Sequence, residues 1–210
     1  MGPDAVVKIG GSLLRHPAKL RELCLELGGL MERLHLIVVP GGGRFADAVR
    51  EVDAEVGLEP ETSHLMALMS MNVYGLLLAS LIPQARVIEE VGEAEGGSAV
   101  ILPYKEARVD PSLLVSWEVT GDAVAARLAE RLRAGLLVLV KAVDGLMDSR
   151  GRLIEEVSAD EMRGWSCVDP VTPRIIKRAK IPCFVVNGLF KDRVVKALCG
   201  GRPLGTLIRP

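Results

Sequence analysis

The sequence predicts an α/β protein built on a mostly parallel sheet, and three observations carry that prediction. Short runs of Val, Ile and Leu alternate with stretches whose apolar residues recur every three or four positions. That is the pattern of strands joined by crossover helices. Apolar residues make up 49% of the 210-residue chain, yet aromatics only 3%. The core must therefore be aliphatic, as it is where helices cover both faces of a sheet. Finally, two strands run into glycine turns, at Val6–Ser12 and Leu36–Gly43, each ahead of a helical pattern. Ligands in α/β folds sit beyond such strand ends.

Taken in order, the first strand spans about 5–9, and a helix follows over 17–34 with Leu20, Leu23, Leu27, Leu30 and Leu34 on one face. Pro17 suits its first turn. The second strand, 35–39, ends at Pro40, and the next helix, 43–56, carries Phe45, Val49, Val52 and Val56 on one side. A helix over 62–81 is nearly all apolar, with Thr62 or Ser63 as a cap. A helix hydrophobic all round is buried against several neighbours or forms a dimer contact.

Strands are expected at 85–89 and 98–103 around the loop Gly92–Gly97, then an irregular segment over 104–119. Thr120-Gly121-Asp122 opens a helix to about 134, and a very apolar strand, Gly135–Val140, follows. Beyond a polar turn at Asp148–Gly151, short helices are expected near 158–164 and 171–180. The strand Pro182–Val186, a helix at 190–199 and a strand at 205–208 complete the chain.

A net charge of −1 gives no global field for nucleic acid or a membrane surface, so any anion site must be local. No run approaches the ~18 uninterrupted apolar residues of a membrane span, and the N-terminus lacks a signal-peptide pattern. Cys24, Cys167, Cys183 and Cys199 lie far apart and make no metal-ligand spacing. They read as reduced thiols in a cytoplasmic protein. The three histidines support neither a metal cluster nor a catalytic triad.

The chemistry-bearing residues gather at the turns. Gly10 and Gly11 let backbone approach a ligand closely, and amides freed there point at an anion. Lys8 stands between Val7 and Ile9 at the mouth of that turn, where it would neutralise charge on a transferring group. Asp122 reads equally as a helix-end acid or as an acceptor holding lysines or a magnesium shell. Lys141 ends an apolar strand, Asp144-Gly145 reads foremost as a turn, and Lys177 lies in a basic run that by default is a solvated helix face. His64 alone reads as a packing residue.

Together the motifs resemble the amino acid kinase superfamily. Lys8-Ile9-Gly10-Gly11-Ser12 is similar to its first glycine loop and Pro40-Gly41-Gly42-Gly43 to its second. Thr120-Gly121-Asp122-x-x-Ala125 and Val140-Lys141-Ala142-Val143-Asp144-Gly145-Leu146-Met147-Asp148 are similar to its two later motifs, in the family order. Gly121 departs from the usual Ala and Lys141 from a frequent Thr. Ser63-His64-x-x-Ala67, Ser116–Thr120, Ser166–Asp169 and Phe184–Gly188 are most similar to an archaeal and methylotroph subgroup.

The resemblance implies a three-layer α/β/α sandwich in one domain, 1–210, with an acceptor-binding lobe over about 1–115 and a nucleotide-binding lobe over about 116–210. It implies an ATP- and Mg2+-dependent kinase acting on a small phosphate monoester, foremost [5-(aminomethyl)furan-3-yl]methyl phosphate of methanofuran biosynthesis. Other acceptors (isopentenyl phosphate, a nucleoside monophosphate, a carboxylate) and a non-catalytic nucleotide- or oxyanion-binding protein are the alternatives. Lys8, Asp122 and Lys177 become the catalytic group, with Arg174 the alternative to Lys177. Lys8, Gly10, Gly11, Ser12, Lys141, Asp144 and Met147 would hold ATP, and Gly42, Gly43, Arg44 and His64 the acceptor. Asp47, Asp53 and Glu118 are candidates for an acceptor amine. A homo-oligomer is expected, a dimer or larger.

Overall fold

A computed structural model of the chain describes residues 2–162 and 167–210. Its elements run β1 (Ala5–Ile9), α1 (Pro17–Met31), β2 (Leu36–Pro40), α2 (Gly43–Val56), α3 (Pro60–Leu81), β3 (Arg86–Ile88), β4 (Ala99–Ile101) and α4 (Tyr104–Ala107). The second half contributes α5 (Gly121–Leu132), β5 (Leu137–Lys141), β6 (Glu156–Ser158), α6 (Thr172–Ala179), β7 (Cys183–Asn187), α7 (Lys191–Leu198) and β8 (Gly205–Arg209).

All eight strands join one sheet in the order β3-β4-β2-β1-β5-β7-β8-β6. Pairing is parallel except where β7 meets β8 antiparallel. β1 lies between β2 and β5, with Val6 opposite both Ile37 and Leu137. From β1 the chain builds outward first to one side and later to the other, so the crevice beside β1 is a topological switch point.

Two aliphatic clusters cover the sheet's two faces. Val7, Ile9, Val38 and Val140 pack with Leu20, Leu23 and Leu27 of α1, Tyr74 and Leu78 of α3, and Val194 of α7. Val6, Ile37, Leu139 and Val185 pack with Ala123 and Val124 of α5 and Ile175 and Ile176 of α6. The result is a three-layer α/β/α sandwich. Burying each Leu or Ile contributes about 1.5–3 kcal/mol.

The structure corrects several local expectations. α3 begins at Pro60 behind Glu59, so neither Thr62 nor Ser63 caps it. The proline supplies a pre-set φ at the first turn, and no side-chain cap is made. Over 158–161 there is no helix: Ser158 ends strand β6, which pairs with β8, and residues 163–166 lie outside the described residues. The loop at Gly92–Gly97 is largely a 3-10 helix, Val91–Gly96, closed by a reciprocal Glu90–Glu93 capping box.

α3 is also long and apolar enough by length and composition to cross a bilayer. Here Leu68, Met71, Tyr74 and Leu78 bury one side of it in the fold, while Met69, Val73 and Leu76 are about half exposed on the other.

Candidate active site

The two glycine turns pack against each other at the C-terminal ends of β1 and β2. The Gly10 amide donates to Val140 O at 2.7 Å and the Gly41 amide to Ile9 O at 2.9 Å. These bonds tie both turns into the sheet and spend those two amides on it. Gly43 has φ +56°, a left-handed conformation that favours glycine. Gly43 and Arg44 then open α2, where the first amides have no helical partner and the dipole end is positive.

Lys8 is 6% exposed, held in a strand whose every residue is buried. Its Nζ lies 2.7 Å from Asp122 Oδ1, and Lys141 Nζ lies 2.6 Å from Asp122 Oδ2. One buried carboxylate thus holds two ammonium groups from adjacent parallel strands. Burial alone would raise the Asp122 pKa, but the charges of Lys8 and Lys141 outweigh it and hold the carboxyl at about 2. Burial, with help from the like charge of Lys141, lowers the Lys8 pKa against the pull of Asp122.

Asp122 sits in the first turn of α5, which Thr120 caps by accepting from the Asp122 amide at 3.2 Å. A Cβ at Gly121 would stand 3.2 Å from Gly41 Cα and 3.3 Å from Lys8 Cε. That tight approach suits the glycine found where the family usually has alanine.

Asp169, which sequence reasoning gave no role, sets this helix end. Its Oδ2 accepts from Thr120 Oγ1 at 2.6 Å and from the Ala123 amide at 3.0 Å. Its Oδ1 accepts from the Thr172 amide at 2.8 Å and Thr172 Oγ1 at 2.9 Å. One buried carboxylate thereby staples the N-termini of α5 and α6. Its traces in the sequence are the Ser166–Asp169 stretch matched to the subgroup and Asp169-Pro170 ahead of Thr172-Pro173, a helix-start signal.

A cavity of about 710 Å3 opens above this cluster. It gathers Lys8, Gly11, Ser12, Gly42, Gly43, Arg44, His64, Asp122 and Lys141 from the sequence expectations. Burial lowers the His64 pKa. Asp47 and Asp53, two of the amine candidates, line it as well, and so do Arg15, His16 and Trp117, to which the sequence alone gave no role.

Four expected residues lie elsewhere. Gly10 is spent on the sheet. Asp144 follows β5 and accepts from Asn187 Nδ2 at 2.8 Å and from Arg193, which hold its pKa down. Met147 is 47% exposed and bridges to Leu153. Lys177 pairs with Asp160 at 2.7 Å, both more than half exposed, in a separate cavity with Arg174. The expected catalytic grouping of Lys8, Asp122 and Lys177 is thus not assembled. The lysine that joins Lys8 on Asp122 is Lys141, because β5 lies beside β1 whereas α6 directs Lys177 toward Asp160.

The parallel sheet with paired glycine turns, together with the family and kinase relatives it matches, makes this a phosphotransferase fold. The Amino acid kinase family signature matches residues 5–187, and the chain belongs to that family. It is 28% identical to the [5-(aminomethyl)furan-3-yl]methyl phosphate kinase of Methanocaldococcus jannaschii, covering 97% of this chain and 96% of that one. It is 30% identical to the uridylate kinase of Hyperthermus butylicus, covering 99% and 98%. Among solved structures, uridylate kinase from Archaeoglobus fulgidus superimposes with a TM-score of 0.80 at 25% identity, covering 99% and 100%.

Proposed function

We propose that the chain transfers a phosphoryl group from ATP to a small phosphate monoester, with [5-(aminomethyl)furan-3-yl]methyl phosphate as acceptor in methanofuran biosynthesis. The observation that carries this reading is the buried Lys8–Asp122–Lys141 cluster on the floor of a cavity between two glycine turns. Joining ATP to a phosphate brings two polyanions together. Such a reaction needs positioning and charge neutralisation more than covalent help. The acceptor oxygen is already ionised, so no strong general base is required.

In this reading the chain from 1–115 supplies the acceptor side and 116–210 most of the nucleotide side. Gly11, Ser12 and Lys8 face the donor phosphates. Gly42, Gly43, Arg44 and His64 face the acceptor phosphate. Lys8 and Lys141 lie where charge builds up, and Asp122 fixes both ammonium groups. Asp144 and Met147 border the nucleotide beyond β5.

Magnesium, when bound, would neutralise nucleotide phosphate oxygens. Among the described residues there is no cluster of three metal-ligating side chains, and both Asp122 oxygens face lysines, so these residues offer it no cage of their own. We place the protein in the cytoplasm, as a homo-oligomer joined through the exposed Met69, Val73 and Leu76 of α3. Light scattering that returned a clean monomer would remove that assembly.

The similarity to uridylate kinases supports a second acceptor, a nucleoside monophosphate. An ADP-release assay across the furan phosphate, isopentenyl phosphate, uridylate and N-acetylglutamate separates these readings. Turnover with none of the phosphate monoesters would instead favour a binding protein on the same fold.

A further inference from the structure

We propose that Asp53 reads a positive charge on the acceptor, so that the cavity selects a zwitterionic substrate with a phosphate at one end and an ammonium at the other. The proposal rests on the phosphate-monoester reading above and adds the acceptor's second charge. Three carboxylates line the cavity: Asp47, Asp53 and Asp122. Asp122 is neutralised by two lysines. Asp47 pairs with Arg50 at 3.3 Å. Asp53 forms no ion pair among the described residues.

Asp53 is nonetheless a built group. Its Oδ1 accepts from the Leu58 amide at 3.2 Å and its Oδ2 from Trp117 Nε1 at 3.1 Å. Both donors are neutral. They fix the carboxylate's direction and leave its charge uncancelled. A carboxylate has about four acceptor positions, so roughly two remain for a ligand.

Trp117 is itself held in place. It comes from the segment after α4, which Asp110 anchors to α5 by a two-pronged bond to Arg127 at 2.9 and 3.1 Å. Arg50, the nearest cation on the same helix, lies over the Trp117 ring at 4.7 Å and bonds Asp47 rather than Asp53. Glu118, the remaining carboxylate considered for an amine, does not line the cavity.

The opposite end is cationic. Lys8, Arg15, Arg44 and Lys141 line the cavity near the glycine turns. Asp53 stands ten residues along α2 from Gly43, which is about 15 Å of helix rise. A phosphate held at the turn leaves the far end of the acceptor directed toward Asp53. A positive group there meets an oriented, unpaired carboxylate, and a neutral group gains no such attraction.

The test compares [5-(aminomethyl)furan-3-yl]methyl phosphate with its hydroxymethyl counterpart, alongside uridylate. Turnover is measured with the wild type, Asp53→Asn and Trp117→Phe. A charged hydrogen bond of this kind corresponds to a roughly 10–100-fold effect. The wild type should favour the amine by that factor in KM. Asp53→Asn should raise KM for the amine by that factor, hold kcat, and leave the hydroxymethyl compound unchanged. Equal loss for both compounds in Asp53→Asn, or no preference in the wild type, would overturn the role of Asp53 while leaving the kinase reading intact. If no phosphate monoester turns over, the kinase reading fails. Calorimetric binding of the same two compounds to the wild type then decides the Asp53 claim: tighter binding of the amine supports it, and equal binding overturns it.

Discussion

Gly11 and Gly43 meet backbone to backbone: a Cβ built on Gly11 would stand 2.1 Å from Gly43 Cα. Contact this close fixes the spacing of the two turns, and with it the spacing of the donor and acceptor phosphates in the proposed reaction. It also gives the glycines a reason beyond the freedom of any one turn.

Gly11→Ala therefore cannot be absorbed by a side-chain shift, since the clashing atoms are backbone. The turns must move apart, and a displacement near 1 Å at reacting groups costs about 100-fold in rate. We expect kcat/KM to fall by at least that much, together with a drop in melting temperature. Gly29→Ala on α1 is the matched control, because nothing lies within 4 Å of its added Cβ. It should leave activity unchanged and stabilise the helix by about 0.5–1 kcal/mol.

Asp122→Ala leaves Lys8 and Lys141 close together without their shared anion. Breaking a buried ion pair by removing one partner costs about 3–5 kcal/mol. Asp122→Asn keeps the volume and removes the charge, so it separates folding from chemistry. We expect Asp122→Asn to remain folded by circular dichroism, with lowered stability and kcat reduced at least about 100-fold, as for loss of a preorganised electrostatic group. Wild-type turnover in that variant would refute Asp122 as the organiser of the lysines.

Lys141 and Lys177 can be ranked in the same assay. Lys141 Nζ is 2.6 Å from Asp122, whereas Lys177 is solvated beside Asp160. Lys141→Ala should cost far more in kcat than Lys177→Ala, whose exposed ion pair is worth at most about 1 kcal/mol to stability. A larger loss for Lys177→Ala would return that residue to the catalytic group.

What was legible in the sequence was what is local in it. β1, α2 and the glycine turns followed from periodicity and from Gly-Gly pairs within a few residues. Asp122 was legible as a helix-end acid, but its two lysines depend on β1 and β5 being neighbours, which strand order alone decides. Strand β6 is three residues, Glu156–Ser158, none fully buried, so no apolar alternation marked it. Asp169 acts across 46 to 49 positions on α5, a reach that no window could show. Lys177 looked like a partner of Lys8 because motif order suggested it, yet α6 turns that face toward Asp160.

The last expectation concerns acid. The Asp122 carboxyl is held at about 2 in the folded protein against 3.8 as its ordinary value. A carboxyl with a depressed folded pKa stabilises the fold above its unfolded value, and that stability disappears as pH falls through the folded value. The contribution is therefore complete above about pH 5 and is lost between about 4 and 2. It amounts to something on the order of 2 kcal/mol, since one pKa unit corresponds to about 1.4 kcal/mol. Lys8 acts at the alkaline end with a slope of the same sign. Its lowered pKa means the folded protein sheds that proton before the unfolded chain does, so stability rises with pH toward 10.5. Urea unfolding from pH 7 to 2 should show a steeper acid loss in the wild type than in Asp122→Asn, which has no carboxyl to protonate there. Parallel slopes in that window would mean that the two lysines do not hold the Asp122 charge as the geometry indicates.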